Sequence, residues 1–302
     1  MVDILMATYN GEAYAGEQIE SLQKQTYTDW RLWVHDDGST DKTVAVVQSY
    51  ANKDKRIHVV DDRVKGLGVA RNFLHLLQYA DEEYIMFCDQ DDVWLPEKLE
   101  KMVKAISSRD QSKAQAVYSN AYLWSKKRGI IADRNTLTYP TTLKQLLFLN
   151  TGIQGAAGIF NQKTRELLSV PLRHYAMHDH ALLLCAMTMG EVSYIDEPLM
   201  YYRQHEHNVT GNAPGSMQKK CLQQWENRHI PLVSRDHLEG LRAFYEVWQD
   251  KLKEEDRETI ELFLSLPEKS FIKRMHLTAR HGFKLFDSRA LLLLKMCVRR
   301  YI

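Results

Sequence analysis

Short apolar runs alternate with polar loops and helix-spaced apolar positions over the first hundred residues. Residues 2–7 are apolar apart from Asp3 and end at Thr8-Tyr9-Asn10-Gly11, after which Ile19 and Leu22 fall at helical spacing within Glu17–Gln25. The pattern predicts strand, loop, helix. It repeats as Trp30–Val34, the polar run Asp36-Asp37-Gly38-Ser39-Thr40-Asp41, and a helix carrying Val44, Val47 and Tyr50, with Thr40 or Asp41 as N-cap. Ile57–Val60 predicts a third strand and Val69–Tyr79 a third helix. Tyr84–Phe87 predicts a fourth strand that runs straight into Asp89-Gln90-Asp91-Asp92, and Pro96 opens another helix.

Strands alternating with helices of this length predict an α/β fold with a mainly parallel central sheet covered on both faces. Such sheets bind ligands beyond the carboxyl ends of their strands. The loops 8–10, 36–41 and 89–92 each follow a strand, so all three are expected at one edge. After about residue 110 the alternation weakens. Residues 116–124 read as extended chain, 143–149 as a short helix, 154–160 as a small-residue strand, 178–189 as a helix and 192–195 as a strand before the polar loop 201–207. From about residue 214 the signal is helical, and no internal repeat or low-complexity segment occurs.

Composition narrows the class. With 302 residues, 44% hydrophobic and 26% charged, the chain supports one large core plus an appendage. Cys88, Cys185, Cys221 and Cys297 have neither paired nor metal-ligand spacing, which fits free thiols in a reducing cytosol. The N-terminal segment lacks the basic and hydrophobic regions of a signal peptide, so no translocation is expected. The longest candidate span, Ala290–Leu294, is far shorter than a bilayer requires.

The net charge of +1 hides an asymmetry: residues 271–302 carry eight Lys or Arg against Asp287 alone. With Leu291–Leu294, Met296, Val298 and Ile302 interspersed, this tail suits a helix lying peripherally on an anionic membrane surface. The alternative is a helix packed on the catalytic domain or a partner chain, including a homo-oligomer, with its basic face solvated. No aromatic stacking module accompanies the charge, so a nucleic-acid partner is not expected.

Two polar runs are candidates for chemistry. Three carboxylates within Asp89-Gln90-Asp91-Asp92 are costly unless a cation or donors compensate them, and hard ions such as Mg²⁺ or Mn²⁺ favour such oxygens. An acidic cap on the following helix explains the run equally well when it is taken alone. Residues 36–41 read as ordinary turn and cap chemistry, or as a carboxylate accepting from a base or ribose.

The segments ATYNGE (7–12), SLQKQTYTDW (21–30), DDGSTD (36–41), GVARN (68–72) and CDQDDVWLPEKL (88–99), in this order and spacing, together resemble glycosyltransferase family 2. The resemblance is strong over about residues 1–110 and extends more weakly to about 212. It implies a GT-A fold, an inverting mechanism, a nucleotide-diphosphate sugar donor and a divalent metal, Mg or Mn. Residues 1–212 then form the catalytic domain, about 1–110 its donor half and about 111–212 its acceptor half, with 213–302 a helical basic C-terminal extension.

Residue by residue, the resemblance implies that Thr8, Tyr9 and Asn10 border the nucleotide and that Asp37 contacts the base. Arg71 and Asn72 match a recurrent pair near the donor. Asp89 and Asp91 match the acids of the DXD motif, Asp91 being the expected direct metal ligand, with Gln90 in the variable position. Asp179, by default a charge favouring its helix dipole, matches the position of the catalytic base.

The later YRQHEHN stretch (202–208) resembles the loop of bacterial rhamnosyltransferase-like members. There Arg203 would meet the diphosphate, and His205 would offer an imidazole to the metal or leaving phosphate, with His207 as its competitor. The implied function is transfer of L-rhamnose from dTDP-L-rhamnose to a lipid-linked saccharide acceptor on the cytoplasmic face of the plasma membrane, for bacterial cell-surface polysaccharide. A UDP-hexose-dependent transferase of the same fold, or a catalytically silent nucleotide-sugar-binding subunit, are the alternatives.

Overall fold

Along β1 (Val2–Thr8), Val2, Ile4 and Met6 pack into one apolar cluster while Leu5 and Ala7 pack into the other, the period of two expected of a strand buried on both faces. A computed structural model describes residues 1–149, 153–204 and 229–302. β1 lies between β2 (Trp30–Asp36) and β4 (Tyr84–Asp89), parallel to both, and β3 (Ile57–Val59) extends the parallel set from β2.

Beyond β4 the sheet becomes mixed. β8 (Gly158–Asn161) runs antiparallel to both β4 and β6 (Ala114–Ser125). β9 (Gly190–Arg203) runs parallel to β6, β5 (Val93–Trp94) runs antiparallel to β9, and β7 (Gly129–Ala132) pairs antiparallel with β6. The order is β3-β2-β1-β4-β8-β6-β9-β5 among the described residues. The expected parallel character thus holds for the first four strands. β8 reverses because the chain returns from β6 as an antiparallel neighbour, which needs no helical crossover.

Helices cover both faces. α1 (Ala15–Gln23), α2 (Thr43–Ala51) and α4 (Lys98–Ser107) place Ile19, Leu22, Val47, Leu99, Met102 and Ile106 in the cluster on one side. On the other side lie α3 (Val69–Leu76), α5 (Leu143–Leu146), α6 (Gln162–Leu168) and α7 (His178–Met189). The chain then continues through α8 (Arg235–Trp248), α9 (Glu254–Ser265), α10 (Phe271–Arg280) and α11 (Arg289–Val298).

These last helices do not stand apart from the sheet. Phe244, Phe263, Leu292, Met296 and Tyr301 are buried in the same cluster as Leu5, Phe87 and Leu182. The basic tail nevertheless keeps Phe271, Ile272, Leu294 and Ile302 exposed, Ile272 at 79%. No helix among the described residues is long and apolar enough to cross a membrane. Cys88 and Cys185 are free and buried, and Cys297 is free and exposed. The expected boundary near residue 212, together with His205, His207 and Cys221, falls outside the described residues.

Candidate active site

The parallel register brings the three polar loops to one edge: Thr8 lies opposite Asp36 and Ala7 opposite Asp89. Each loop is then tied to the next by hydrogen bonds. The Gln90 carboxamide clasps the backbone of Tyr9, its Oε1 accepting from the Tyr9 amide at 3.0 Å and its Nε2 donating to the Tyr9 carbonyl at 2.9 Å. Gln90 thus locks the β4 loop to the β1 loop. The Asn10 amide donates to Ser39 Oγ at 2.8 Å, and Asn10 Oδ1 accepts from the Thr40 amide at 2.9 Å.

The two acids that follow β2 divide the work. Asp36 is buried and accepts from the Gly38 and Ser39 amides and from the hydroxyls of Thr8 and Ser39. Burial would raise its carboxyl, but these donors outweigh burial and hold it below the usual range. Asp37, expected at the base, turns outward and accepts from the Leu67 and Gly68 amides at 2.7 and 2.8 Å. Gly68 has φ of 73°, a conformation that glycine adopts freely, so the loop can present both amides to one carboxylate. Tyr9 is 56% exposed and leaves its ring free along this edge.

The pair at the start of α3 separates. Asn72 is buried, with its Oδ1 2.6 Å from Nδ1 of His35, and therefore supports β2 from behind. Arg71 is exposed on the rim, its guanidinium reaching the Arg173 carbonyl at 3.5 Å.

The acidic run is polarised by depth. Asp89 and Asp91 keep partial exposure, whereas Asp92 is fully buried. Asp92 Oδ1 accepts from the Arg203 amide at 3.2 Å, while its Oδ2 has no hydrogen-bond partner among the described residues. Burial, then the charge of Asp91, pushes Asp89 up to about 7; burial, with Asp89 and Asp91, pushes Asp92 well above the carboxylate range. These shifts record crowding among the acids, which the nearby Lys98 offsets only in part. The oxygen-only donor set and the orphaned Asp92 Oδ2 fit a hard divalent ion that completes its shell with water and phosphate oxygens.

Beneath the run lies Lys98, which the sequence reading did not single out. It is fully buried at the first position of α4, donates to the Ala156 carbonyl at 2.6 Å and sits 3.6 Å from the Trp94 ring centroid. Burial lowers its ammonium to about 7, and Cys88, Asp92 and Asp89 oppose that shift. Its signal in the sequence was a lysine in the first turn of a helix, against the dipole preference.

Arg203, expected at the diphosphate, is buried beneath the same loop. Its Nε donates to the Asp91 carbonyl at 2.6 Å, its Nη2 pairs with Glu17 at 2.7 Å, and its guanidinium carbon lies 4.6 Å from the centroid of the Trp124 ring. The side chain fixes where the Asp91 backbone sits.

Asp179 occupies the first turn of α7 and is 9% exposed, with the His180 amide donating to it at 2.7 Å. Burial chiefly raises its carboxyl to about 8, and the charge of Asp89 adds to the rise. The two acids, 90 residues apart in sequence, therefore share one electrostatic environment. His178 is wedged with its ring stacked 4.1 Å from Phe73 and edge-on 4.9 Å from Phe87, and burial lowers it to about 3. Gly155 makes this fit: a Cβ there would lie 2.6 Å from His178 Nε2 and 3.3 Å from Asp179 Cβ. His180 packs 4.4 Å from His237, whose Nε2 lies 2.9 Å from the Leu147 carbonyl oxygen. Both flanking histidines are held by packing, while His178 Nδ1 and Nε2 and His180 Nε2 have no hydrogen-bond partner among the described residues.

The family model described as Glycosyl transferase family 2 matches residues 3–167. The dTDP-rhamnosyl transferase RfbG of Shigella flexneri is 29% identical over 229 residues, covering 68% of this chain and 73% of the relative. The UDP-Glc:alpha-D-GlcNAc-diphosphoundecaprenol beta-1,3-glucosyltransferase WfgD of Escherichia coli is 29% identical over 231 residues, covering 75% and 84%. Among solved structures, S. aureus TarS 1-349 in complex with UDP-GlcNAc aligns with a TM-score of 0.57 at 17% identity, over 91% of this chain and 83% of that one. The mannosyltransferase PcManGT of Pyrobaculum calidifontis, in complex with GDP-Man and Mn²⁺, aligns with a TM-score of 0.53 at 15% identity, over 98% and 86%.

Proposed function

This chain belongs to glycosyl transferase family 2, is a glycosyltransferase of GT-A fold, and from that premise we propose how it works. It transfers a sugar, with inversion, from a nucleoside diphosphate donor held at the 8–10, 36–41 and 89–92 edge to a saccharide hydroxyl delivered near Asp179. The observation that carries this reading is the placement of Asp179, a buried carboxyl in the first turn of α7 with Gly155 packed against its Cβ.

In this reading the acceptor hydroxyl gives its proton to Asp179 as its oxygen bonds to the anomeric carbon. The bond from that carbon to the diphosphate oxygen breaks, and its electron pair stays on the leaving diphosphate. Preorganised charge at such a site contributes about 3 to 4 kcal/mol per donor in comparable oxyanion cases. A divalent ion bound by Asp91 and Asp89 would supply Lewis-acid stabilisation of the leaving phosphate. Arg203 serves as a positioning residue, holding the Asp91 backbone; Tyr9 and Asp37 border the nucleoside, and Arg71 offers a cation on the rim.

L-Rhamnose from dTDP-L-rhamnose is the donor favoured by the similarity to RfbG. A UDP-hexose is the second reading, supported by WfgD at the same identity and higher coverage. A lipid-linked saccharide acceptor agrees with the GlcNAc-diphosphoundecaprenol in the name of WfgD. Exposed Phe271 and Ile272 beside exposed Lys273 support peripheral attachment of the C-terminal segment to an anionic membrane, whereas Arg274 is turned inward onto backbone carbonyls. Failure to sediment with anionic liposomes would count against that attachment.

The assignment is tested by Asp179→Asn, which is nearly isosteric. Donor binding by calorimetry is expected to persist while turnover is lost; turnover at the wild-type rate rejects Asp179 as the base. Asp91→Ala is expected to remove the metal-dependent part of donor binding.

A further inference from the structure

A second cluster of metal-ligating side chains stands behind the donor loops, apart from the acidic run. His35 is the penultimate residue of β2, Asp62 lies in the loop after β3, and His75 lies in the last turn of α3. One ligand atom from each lies within 4.8 Å of the others. His35 Nε2 is 3.3 Å from Asp62 Oδ1, and His75 Nε2 is 2.5 Å from Asp62 Oδ2. Ligands at zinc bond lengths of about 2.0 to 2.1 Å on a tetrahedron stand about 3.3 Å apart, as His35 and Asp62 do; the His75–Asp62 contact is a hydrogen bond, which an entering ion would replace.

The surroundings of His35 Nε2 call for positive charge. Asn72 Nδ2 donates to the His35 carbonyl at 3.4 Å, which turns its Oδ1 toward His35 Nδ1 at 2.6 Å. A carboxamide oxygen only accepts, so Nδ1 donates to Asn72 and the ring turns Nε2 toward Asp62. That nitrogen is completely buried, has no hydrogen-bond partner among the described residues, and faces a carboxylate oxygen. A buried nitrogen facing a carboxylate oxygen at 3.3 Å needs positive charge between them, supplied either by a second proton on His35 or by a bound cation. The surroundings have the form of an outer ligand shell: Asn72 orients one imidazole, and the Tyr79 hydroxyl donates to Asp62 Oδ2 at 2.9 Å. Asp62 and His75 keep 23% and 20% of their side-chain surface exposed, which leaves an entry path.

We infer that His35, Asp62 and His75 form a second metal site, separate from the acidic run, that takes a borderline ion of the zinc class with water as fourth ligand. Two imidazoles and one carboxylate suit such an ion better than magnesium, which favours oxygen alone. The site is structural in effect. Asp36 follows His35 directly, and the loop that carries Asp62 also sends Lys65 Nζ to the Asp36 carbonyl and the Leu67 and Gly68 amides to Asp37. One ion would therefore staple β2, this loop and α3 behind the donor edge.

The test uses the full-length protein freed of metal by chelation. Co²⁺ titration is expected to produce the visible ligand-field bands of a four-coordinate ion at one equivalent. Zn²⁺ should displace it, bind one equivalent in competition with a chromophoric chelator, and raise the unfolding temperature. His75→Gln, checked for native circular dichroism, is expected to bind Zn²⁺ at least about 100-fold more weakly, and Asn72→Ala about 10- to 100-fold more weakly. Asp91→Asn should bind it as wild type. A wild-type chain that binds neither Co²⁺ nor Zn²⁺ overturns the site and leaves a hydrogen-bonded triad. So does unchanged affinity in folded His75→Gln, or loss of the bound ion in Asp91→Asn.

Discussion

A single added methyl group at Gly155 probes the placement of the proposed base without touching its chemistry. Gly155 has an ordinary backbone conformation, so Gly155→Ala introduces no left-handed strain. The new Cβ would stand 2.6 Å from His178 Nε2 and 3.3 Å from Asp179 Cβ, against an ordinary contact beginning at 3.4 Å. His178 must retreat by roughly 0.8 Å, but Phe73 at 4.1 Å and Phe87 at 4.9 Å close off its ring. The first turn of α7 moves instead and carries Asp179 with it.

Overpacking of this size costs about 1 to 3 kcal/mol, or a few degrees in Tm for a chain of this length. A misplacement approaching 1 Å in a reacting group costs on the order of 10²-fold in rate. Steady-state kinetics should therefore show kcat lowered about 30- to 100-fold with the donor KM little changed, in a protein that still unfolds cooperatively. Combining Gly155→Ala with His178→Ala reopens the space and should raise kcat above that of Gly155→Ala alone. Wild-type kcat in folded Gly155→Ala would refute the claim that the start of α7 positions the reaction. An equal loss of donor binding would move the effect to the donor half.

Other consequences are open to measurement. Asp179 must be ionised to accept a proton, and burial with Asp89 holds it near 8, so its active form grows as pH rises. The expected kcat/KM rises through about pH 8 and levels above about pH 9, and saturating divalent ion moves the rise to lower pH by neutralising Asp89; a flat profile contradicts this. Arg203→Lys keeps the charge but cannot reproduce both the Asp91 carbonyl and Glu17 contacts, so kcat/KM should fall about 10- to 100-fold in steady-state assays. Gly190→Ala would bring a Cβ within 2.1 Å of the Ala114 carbonyl across the β6–β9 pairing, and thermal unfolding should register a loss of about 3 kcal/mol or more.

The donor half was legible because local rules suffice there. Apolar runs ended by Asp36 and Asp89 mark the carboxyl ends of β2 and β4, and parallel topology gathers such ends at one edge. The second half was harder to read. Asp196-Glu197-Pro198 looks like a loop after a four-residue strand, yet β9 continues through it to Arg203. Register shifts on β6 around Asn120, which lies opposite Pro198, absorb the proline without ending the pairing.

Site residues were legible as types more than as partnerships. The bonds from Gln90 to Tyr9, from Asp37 to the Leu67 and Gly68 amides and from Arg203 to Glu17 join residues 30 to 186 positions apart. No spacing rule in the sequence announces such contacts. Lys98 and Gly155 escaped for the same reason, since each acquires its role from what the fold packs against it.

The central claim is most directly tested by a donor panel. The purified chain would be incubated with Mg²⁺ or Mn²⁺, a lipid-linked saccharide acceptor, and dTDP-, UDP- and GDP-sugars in turn, with released nucleotide and the anomeric configuration of the product measured. Metal-dependent release from one donor class, an inverted product, and loss of both with Asp179→Asn while that donor still binds are the predicted results. A retained configuration, or full release by Asp179→Asn, would contradict the account.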